Sequence, residues 1–416
     1  MMVAAGASPR GVSKQSIASE QILAHNAGRE PERLAIKYAA MRGSVFAFLR
    51  ATPSLFHQRM VANGLAPDGP PAWSSGDLHL ENFGTYLGGN GLVYFDINDF
   101  DAALLAPAGW DIVRLATSML VAAPALSLNR AEAAGLARRL LQGYREALSS
   151  GKASWVERRT AEGLIGELMR RLKRRDPAKF LDARTKTVKG ERSLIIDGKR
   201  VLPLAAKERQ RLSAWLKSLA NSARERDTFA LLDAGRRVAG VSSLGTARYT
   251  ILVEGQGGTD GNLLLELKSA QPSATAPYSP CHQPAWRSEA ERIVEVQKRC
   301  QAVPPGLWRA VTFDGEPFVL RELQPSQDRL DLAAAVTDLP ALAGSLRTMG
   351  WLSAWAQLRS SGRQGSATAD ELIGFAADTL RVAPLLESAR AMDAIVRADW
   401  QEFCASYDQG RFTIAR

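Results

Sequence analysis

The chain has 416 residues, 46% hydrophobic and 23% charged, with 34 Gly and 20 Pro, a balance that excludes a disordered or collagen-like protein. That length is more than one core usually fills, so two or three folding units are expected. Lys and Arg outnumber Asp and Glu by 53 to 43, a formal charge of +10, which suggests a polyanionic partner until the charge is located.

Residues 1–29 are expected to be flexible, the first 15 being small and polar. Residues 31–63 read as helical, with Leu34, Tyr38, Met41 and Val45 at helical spacing, and the Pro/Gly-rich stretch 64–71 breaks the pattern. A loop-like run at 73–84 leads to a strand at 92–97 and a helix at 112–122. Another helix starts after Asn129, with Glu132 as its capping-box partner and Leu136, Leu140, Tyr144 and Leu148 as its core stripe. Residues 157–225 are charged and mostly helical, apart from a hairpin in which 193–196 and 200–202 flank the turn dipeptide Asp197-Gly198. Short β-like runs at 237–240, 249–254 and 263–268 predict an antiparallel sheet. A helix at 288–301 and a strand pair at 309–313 and 318–323 follow. The rest reads as helix, with a capping box at Thr368 and Glu371 and a kink or fresh start at Pro384.

Cys281, Cys300 and Cys404 are too widely spaced for a CxxC zinc pattern or a disulfide framework. Only four histidines are present, and no HExxH, which speaks against a zinc hydrolase. Residues 1–10 lack the basic start and apolar core of a signal peptide, and the longest apolar stretch is interrupted by Pro124. A cytoplasmic protein with no membrane partner is expected.

Two constellations carry chemistry. In the first, Gly76-Asp77-Leu78-His79-Leu80-Glu81-Asn82 sets an Asp and an Asn five residues apart, and an apolar strand then ends in Asp96, Asp99 and Asp101. Phosphoryl transfer needs a carboxylate to receive or orient the acceptor's proton and oxygen ligands to hold Mg²⁺ against phosphates, and this spacing supplies both. Asp111, opening the next helix, would cap it or brace the loop backbone from below. In the second, the Gly-rich turn containing Gly240, Ser243 and Gly245 precedes a strand ending in Lys268, and the following helix offers Glu291 and Glu295. A strand Lys held by a helix Glu beneath a Gly-rich turn anchors nucleotide phosphates in kinases.

The runs Gly76-Asp-Leu-His-Leu-Glu-Asn-Phe-Gly84, Asn98-Asp-Phe-Asp101, and Trp110-Asp111 with Arg114-Leu-Ala116 resemble an uncharacterised bacterial family, domain of unknown function 2252. Leu267-Lys268-Ser-Ala270 and Arg292-Ile-Val-Glu295-Val-Gln297 resemble its later motifs. The family is similar in turn to the kinase-like aminoglycoside and choline phosphotransferases. The resemblance implies Asp77 as catalytic carboxylate, Asn82 as metal ligand and a Lys268–Glu295 phosphate anchor. The second metal-binding acid is either Asp99, by its distance to Asp111, or Asp96, by its distance to Asp77. Ser75 and Gln357 stand where the related patterns have His.

The implied fold is α+β, a two-lobed protein-kinase-like fold in circularly permuted order, because the catalytic loop precedes the Gly-rich sheet. The expected division is 30–234 for the helical lobe with the catalytic loop, 235–325 for the nucleotide-binding sheet and 326–416 for helices returning to the first lobe. The implied activity is transfer of phosphate from ATP, with Mg²⁺, to a hydroxyl of a small molecule. AMP transfer by the same fold, and a non-catalytic nucleotide-binding pseudokinase, are the alternatives. The charge, finally, is local: residues 170–200 hold twelve Lys/Arg and four acids, +8 of the total. No aromatic interleaving accompanies that run, Phe180 standing alone, which speaks against a nucleic-acid binder.

Overall fold

Helices begin earlier than the composition suggests. A computed structural model describes residues 17–188, 190–219, 227–256, 258–323 and 328–413. Ala18–His25 is already a helix, with Ala18, Ser19 and Ile22 buried and the Ser19 amide donating to Glu402 Oε2 at 2.9 Å. The flexible segment expected over 1–29 is therefore corrected for residues 18–25, where apolar burial holds the chain; residues 1–16 lie outside the described residues. The helical run expected at 31–63 forms three pieces, Pro31–Gly43, Val45–Ala51 and Pro53–Ala62. Ser44 takes extended backbone and accepts the Ala47 amide, ending one helix and capping the next. Pro53 has no N–H to give, so it starts the third piece.

The Trp110–Ala122 helix is buried at all 13 positions. Arg130–Ser150, Leu339–Ser360 and Val382–Asp408 pack around it, and Arg130–Ser150 packs against both of the others. The capping boxes at Asn129/Glu132 and Thr368/Glu371 form as expected. Pro384 falls in the first turn of Val382–Asp408, so it marks a fresh start, with no kink needed.

Two short ribbons nest inside this body. Pro71–Ser74 pairs with Leu104–Pro107, and within that loop Phe83–Leu87 pairs with Val93–Ile97, all antiparallel. The nesting sets the 75–82 loop against the 98–103 turn.

A six-stranded antiparallel sheet runs in the order Trp308–Phe313, Glu316–Glu322, Leu263–Ser269, Arg248–Val253, Leu231–Arg237, Val201–Leu202. Strand alternation decides its faces. Tyr249, Ile251, Leu265, Leu267 and Leu320 join an apolar cluster with Leu212 and Leu216 of the Ala206–Leu219 helix. Glu266 and Lys268, one residue out of phase, line a cleft instead. The sheet unit thus begins near Val201, earlier than the expected boundary at 235. The expected hairpin across Asp197-Gly198 does not form. The Asp197 carboxylate collects the amides of Lys199, Arg200 and Val201, and Val201–Leu202 pairs with Arg237 and Arg236. Glu191–Leu194 pairs with Thr185–Val188. Helices segregated from one antiparallel sheet make the protein α+β. Among the described residues no helix is long and apolar enough to cross a membrane.

Candidate active site

The 75–82 loop is shaped by its backbone. Gly76 has φ +79°, and a Cβ there would stand 2.1 Å from the Ala102 carbonyl, so only glycine lets the loop lie against the 98–103 turn. Asp111 accepts the amides of Ser75 at 2.6 Å and Gly76 at 3.1 Å, the bracing expected from below. Burial raises its pKa to about 6 against the pull of those amides. His79 and Asn82 pin the loop backbone: Asn82 Oδ1 accepts the His79 amide at 2.9 Å, and His79 Nδ1 accepts the Glu81 amide at 3.2 Å. An amide can only donate, so the ring proton sits on Nε2. Burial, with Arg50, Arg114 and Arg329 nearby, pushes the His79 pKa well down and keeps the ring neutral.

Asp77 is half-buried, and its Oδ1 takes both the Nε of Arg114, at 3.0 Å, and a second guanidinium nitrogen. Burial is the larger influence and raises the Asp77 pKa to about 6; Arg114 pulls it down and Asp99 pushes it up. Sequence reasoning gave Arg114 no role, though a signal was there: an arginine within the apolar Trp110–Ala122 run cannot be buried without a partner. Besides Asp77, it donates to the Leu49 carbonyl and lies 4.7 Å from the centroid of Phe56.

Asp77, Asn82 and Asp99 line one cavity of about 170 Å³ with Lys268, Gly240 and Ser243. Three expected site residues lie elsewhere. Asp96, the alternative to Asp99, is 2% exposed and turned inward; it meets Arg359 at 3.2 Å and accepts the Ile97 and Ala302 amides, which leaves Asp99 as the one of the two in the cavity lining. Glu295 pairs with Lys298 at 3.0 Å on the outer helix face. The Glu289–Cys300 helix turns Ile293, Val294 and Val296 inward, and that phase carries Glu295 away from the cleft. Lys268 pairs with Asp101 instead. Gly245 also leaves the cleft: its carbonyl accepts the Glu30 amide at 3.0 Å, and a Cβ would meet Arg29 at 2.8 Å.

The sheet wall holds charges that sequence reasoning missed. Glu266, 1% exposed, meets Arg248 Nε at 2.6 Å, Arg321 Nε at 2.6 Å and Arg237 Nε at 2.8 Å. These arginines pull its pKa far down against burial. Three guanidiniums on one carboxylate leave a surplus of positive charge facing the cleft, a setting that attracts an anion. Period-two alternation was the available signal, because Glu266 shares a face with Lys268. Arg248 also donates to the Ala239 carbonyl at 2.7 Å, tying the sheet to the Gly-rich turn. Arg292 holds the opposite wall through the carbonyls of Asp101 and Ala103.

The acidic wall offers hard oxygen donors, which suit Mg²⁺ better than zinc. Asn82 Oδ1 keeps a second lone pair beyond the His79 amide, and the Asp99 carboxylate lines the same cavity. Among the described residues no three His, Cys, Asp or Glu side chains gather as a metal cluster. Mg²⁺ usually needs only one or two carboxylates, with phosphates and waters completing its shell. Ser75 also lines the cavity. Gln357 does not; it is buried in the helical body and accepts the Tyr144 hydroxyl at 2.6 Å.

A family model described as "Uncharacterized protein conserved in bacteria (DUF2252)" matches residues 29–406. No curated protein and no solved structure matches the chain.

Proposed function

The chain belongs to the DUF2252 family, and from its cleft we propose an ATP- and Mg²⁺-dependent phosphotransferase acting on a hydroxyl of a small molecule. One observation carries this reading: Asp77, Asn82 and Asp99 line the same small cavity as Lys268 and the Gly240–Ser243 turn. The fold we read as kinase-like and circularly permuted. Its support is the order of parts, since the acidic loops precede the sheet strands that form the other wall.

Asp77 acts as the base. With a pKa of about 6 it is mostly ionised at neutral pH, yet basic enough to take a hydroxyl proton as the oxygen attacks. Arg114 fixes Oδ1, which holds the carboxylate in one orientation. Asn82 and Asp99 would hold Mg²⁺, which when bound neutralises charge on the transferring phosphoryl group. Lys268 and the arginines around Glu266 attract the remaining phosphate oxygens, and the turn at 240–243 covers them. The neutral His79, with its proton on Nε2, is a further donor toward the cavity.

Thermal-shift titration with ATP, with and without Mg²⁺, is the first test. Stabilisation that requires Mg²⁺ is expected, and none at any ATP concentration sinks the reading. Incubation with α- or γ-labelled ATP and a panel of hydroxyl compounds is the second. Label from the γ-phosphate should enter product. Label from the α-phosphate would mean AMP transfer, and binding with no product would mean a nucleotide-sensing module.

A further inference from the structure

The Pro31–Gly43 helix buries Lys37 completely, at 0% exposure. Its Nζ donates to Asn26 Oδ1 at 2.8 Å and to the Ser242 carbonyl at 3.1 Å, and among the described residues it has no carboxylate partner. Arg29 reaches the same carbonyl at 2.9 Å and that of Leu244 at 3.3 Å. Two basic side chains thus converge on one peptide oxygen of the turn that lines the cleft.

That geometry has a consequence for the other side of the turn. In a trans peptide the carbonyl and the following N–H point in opposite directions. The Ser242 carbonyl points at Lys37 and Arg29, so the Ser243 amide is turned the other way, toward the cleft. The amides of Gly240, Val241, Ser242 and Ser243 make no hydrogen bond among the described residues. Gly240, at φ +75°, allows successive N–H groups to curl toward one point, the concave arrangement that receives anions.

A fully buried amine with only neutral acceptors, its pKa pushed well down by burial and by Arg29, costs stability that an apolar side chain would not. We propose that Lys37 and Arg29 are positioning residues that hold the 240–243 turn with its amides open to a phosphate group of the cleft ligand. The proposal rests on the reading that the cleft takes phosphates, but it does not require that they belong to a nucleotide.

Inorganic tripolyphosphate without Mg²⁺ is the probe, measured by calorimetry on the full chain. The wild type should bind it, and Lys37→Met should weaken binding at least about tenfold, as expected when the hydrogen bond that holds the turn open is lost. The melting temperature of Lys37→Met should stay level or rise, because a buried polar group is gone; a purely structural lysine would lower it. Should Lys37→Met not fold, Arg29→Met carries the same comparison. Equal tripolyphosphate affinity in wild type and variant overturns the proposal, as does a wild type that binds none. A wild type that binds tripolyphosphate but not Mg·ATP would leave this device standing and remove the nucleotide from the proposed function. Tight Mg·ATP binding by both wild type and variant would do the reverse.

Discussion

Asp77 is held between two opposing influences. Burial and Asp99 favour its neutral form, while the Arg114 guanidinium favours the anion, and the balance falls at about 6. Only the anion can take a proton, so activity is fully present above that value and lost as pH falls through it. Below it, ATP turnover should drop about tenfold per pH unit. Asp77→Asn should abolish turnover while leaving Mg·ATP affinity within about threefold, since the lost group serves the acceptor's proton. Arg114→Met removes the influence that opposes burial, so the acid limb should move to higher pH. A limb that stays at about 6 in Arg114→Met would assign it to another group. Asp111, also raised to about 6, is the rival, and Asp111→Asn distinguishes the two by leaving the limb in place while loosening the loop it braces.

Among the elements, the pair Arg130–Ser150 and Leu339–Ser360 approaches most closely where side chains vanish. A Cβ on Gly350 would stand 2.2 Å from the Leu140 carbonyl, and one on Gly143 2.3 Å from the Arg347 carbonyl. The obstruction is backbone, so it cannot rotate away. Gly350→Ala should cost about 1–3 kcal/mol in urea unfolding, despite alanine's better helix propensity. A gain in stability would mean that the helices slide apart freely. What the chain reveals before folding follows the same division between near and far. The Asp77–Asn82 loop, the capping boxes and most of the sheet strands rest on neighbours a few residues apart, so they were legible. Lys268 and Asp101 are 167 residues apart, and nothing local pairs them. Glu295 was the expected partner on the following helix, yet one helical step separates it from the inward face of Ile293, Val294 and Val296. Asp96 and Asp99 could be ranked only once the ribbon ended at Ile97, leaving Asp96 inside it and Asp99 in the turn beyond. The clamp from Lys37 to Ser242 spans 205 residues and was equally beyond local reading.

At the scale of the whole molecule, the +10 resolves into paired and unpaired charge. Within 170–200, Arg175 is tied to Asp328, Arg192 to Asp182 and Asp260, and Arg200 to Asp197. Arg170, Arg171 and Arg174 have no acidic partner within ion-pair distance among the described residues, and with Arg175 and Glu167 they surround a surface cavity of about 450 Å³. Asp328 lines the cleft, so the Arg175–Asp328 pair joins the arginine cavity to the rim of the candidate active site. Exposed charges so placed act on an approaching anion over about 10 Å at 0.1 M salt, and over much less at 1 M. They should therefore govern arrival and leave departure alone. In stopped-flow binding of a fluorescent ATP analogue, the Arg170→Gln/Arg171→Gln/Arg174→Gln variant should associate several-fold more slowly at low salt, about as fast as wild type near 1 M, and dissociate at an unchanged rate. All three side chains are exposed, so the melting temperature should hold as well. A faster dissociation would place these arginines in contact with the bound ligand, and an association rate indifferent to salt would detach the basic segment from the cleft altogether.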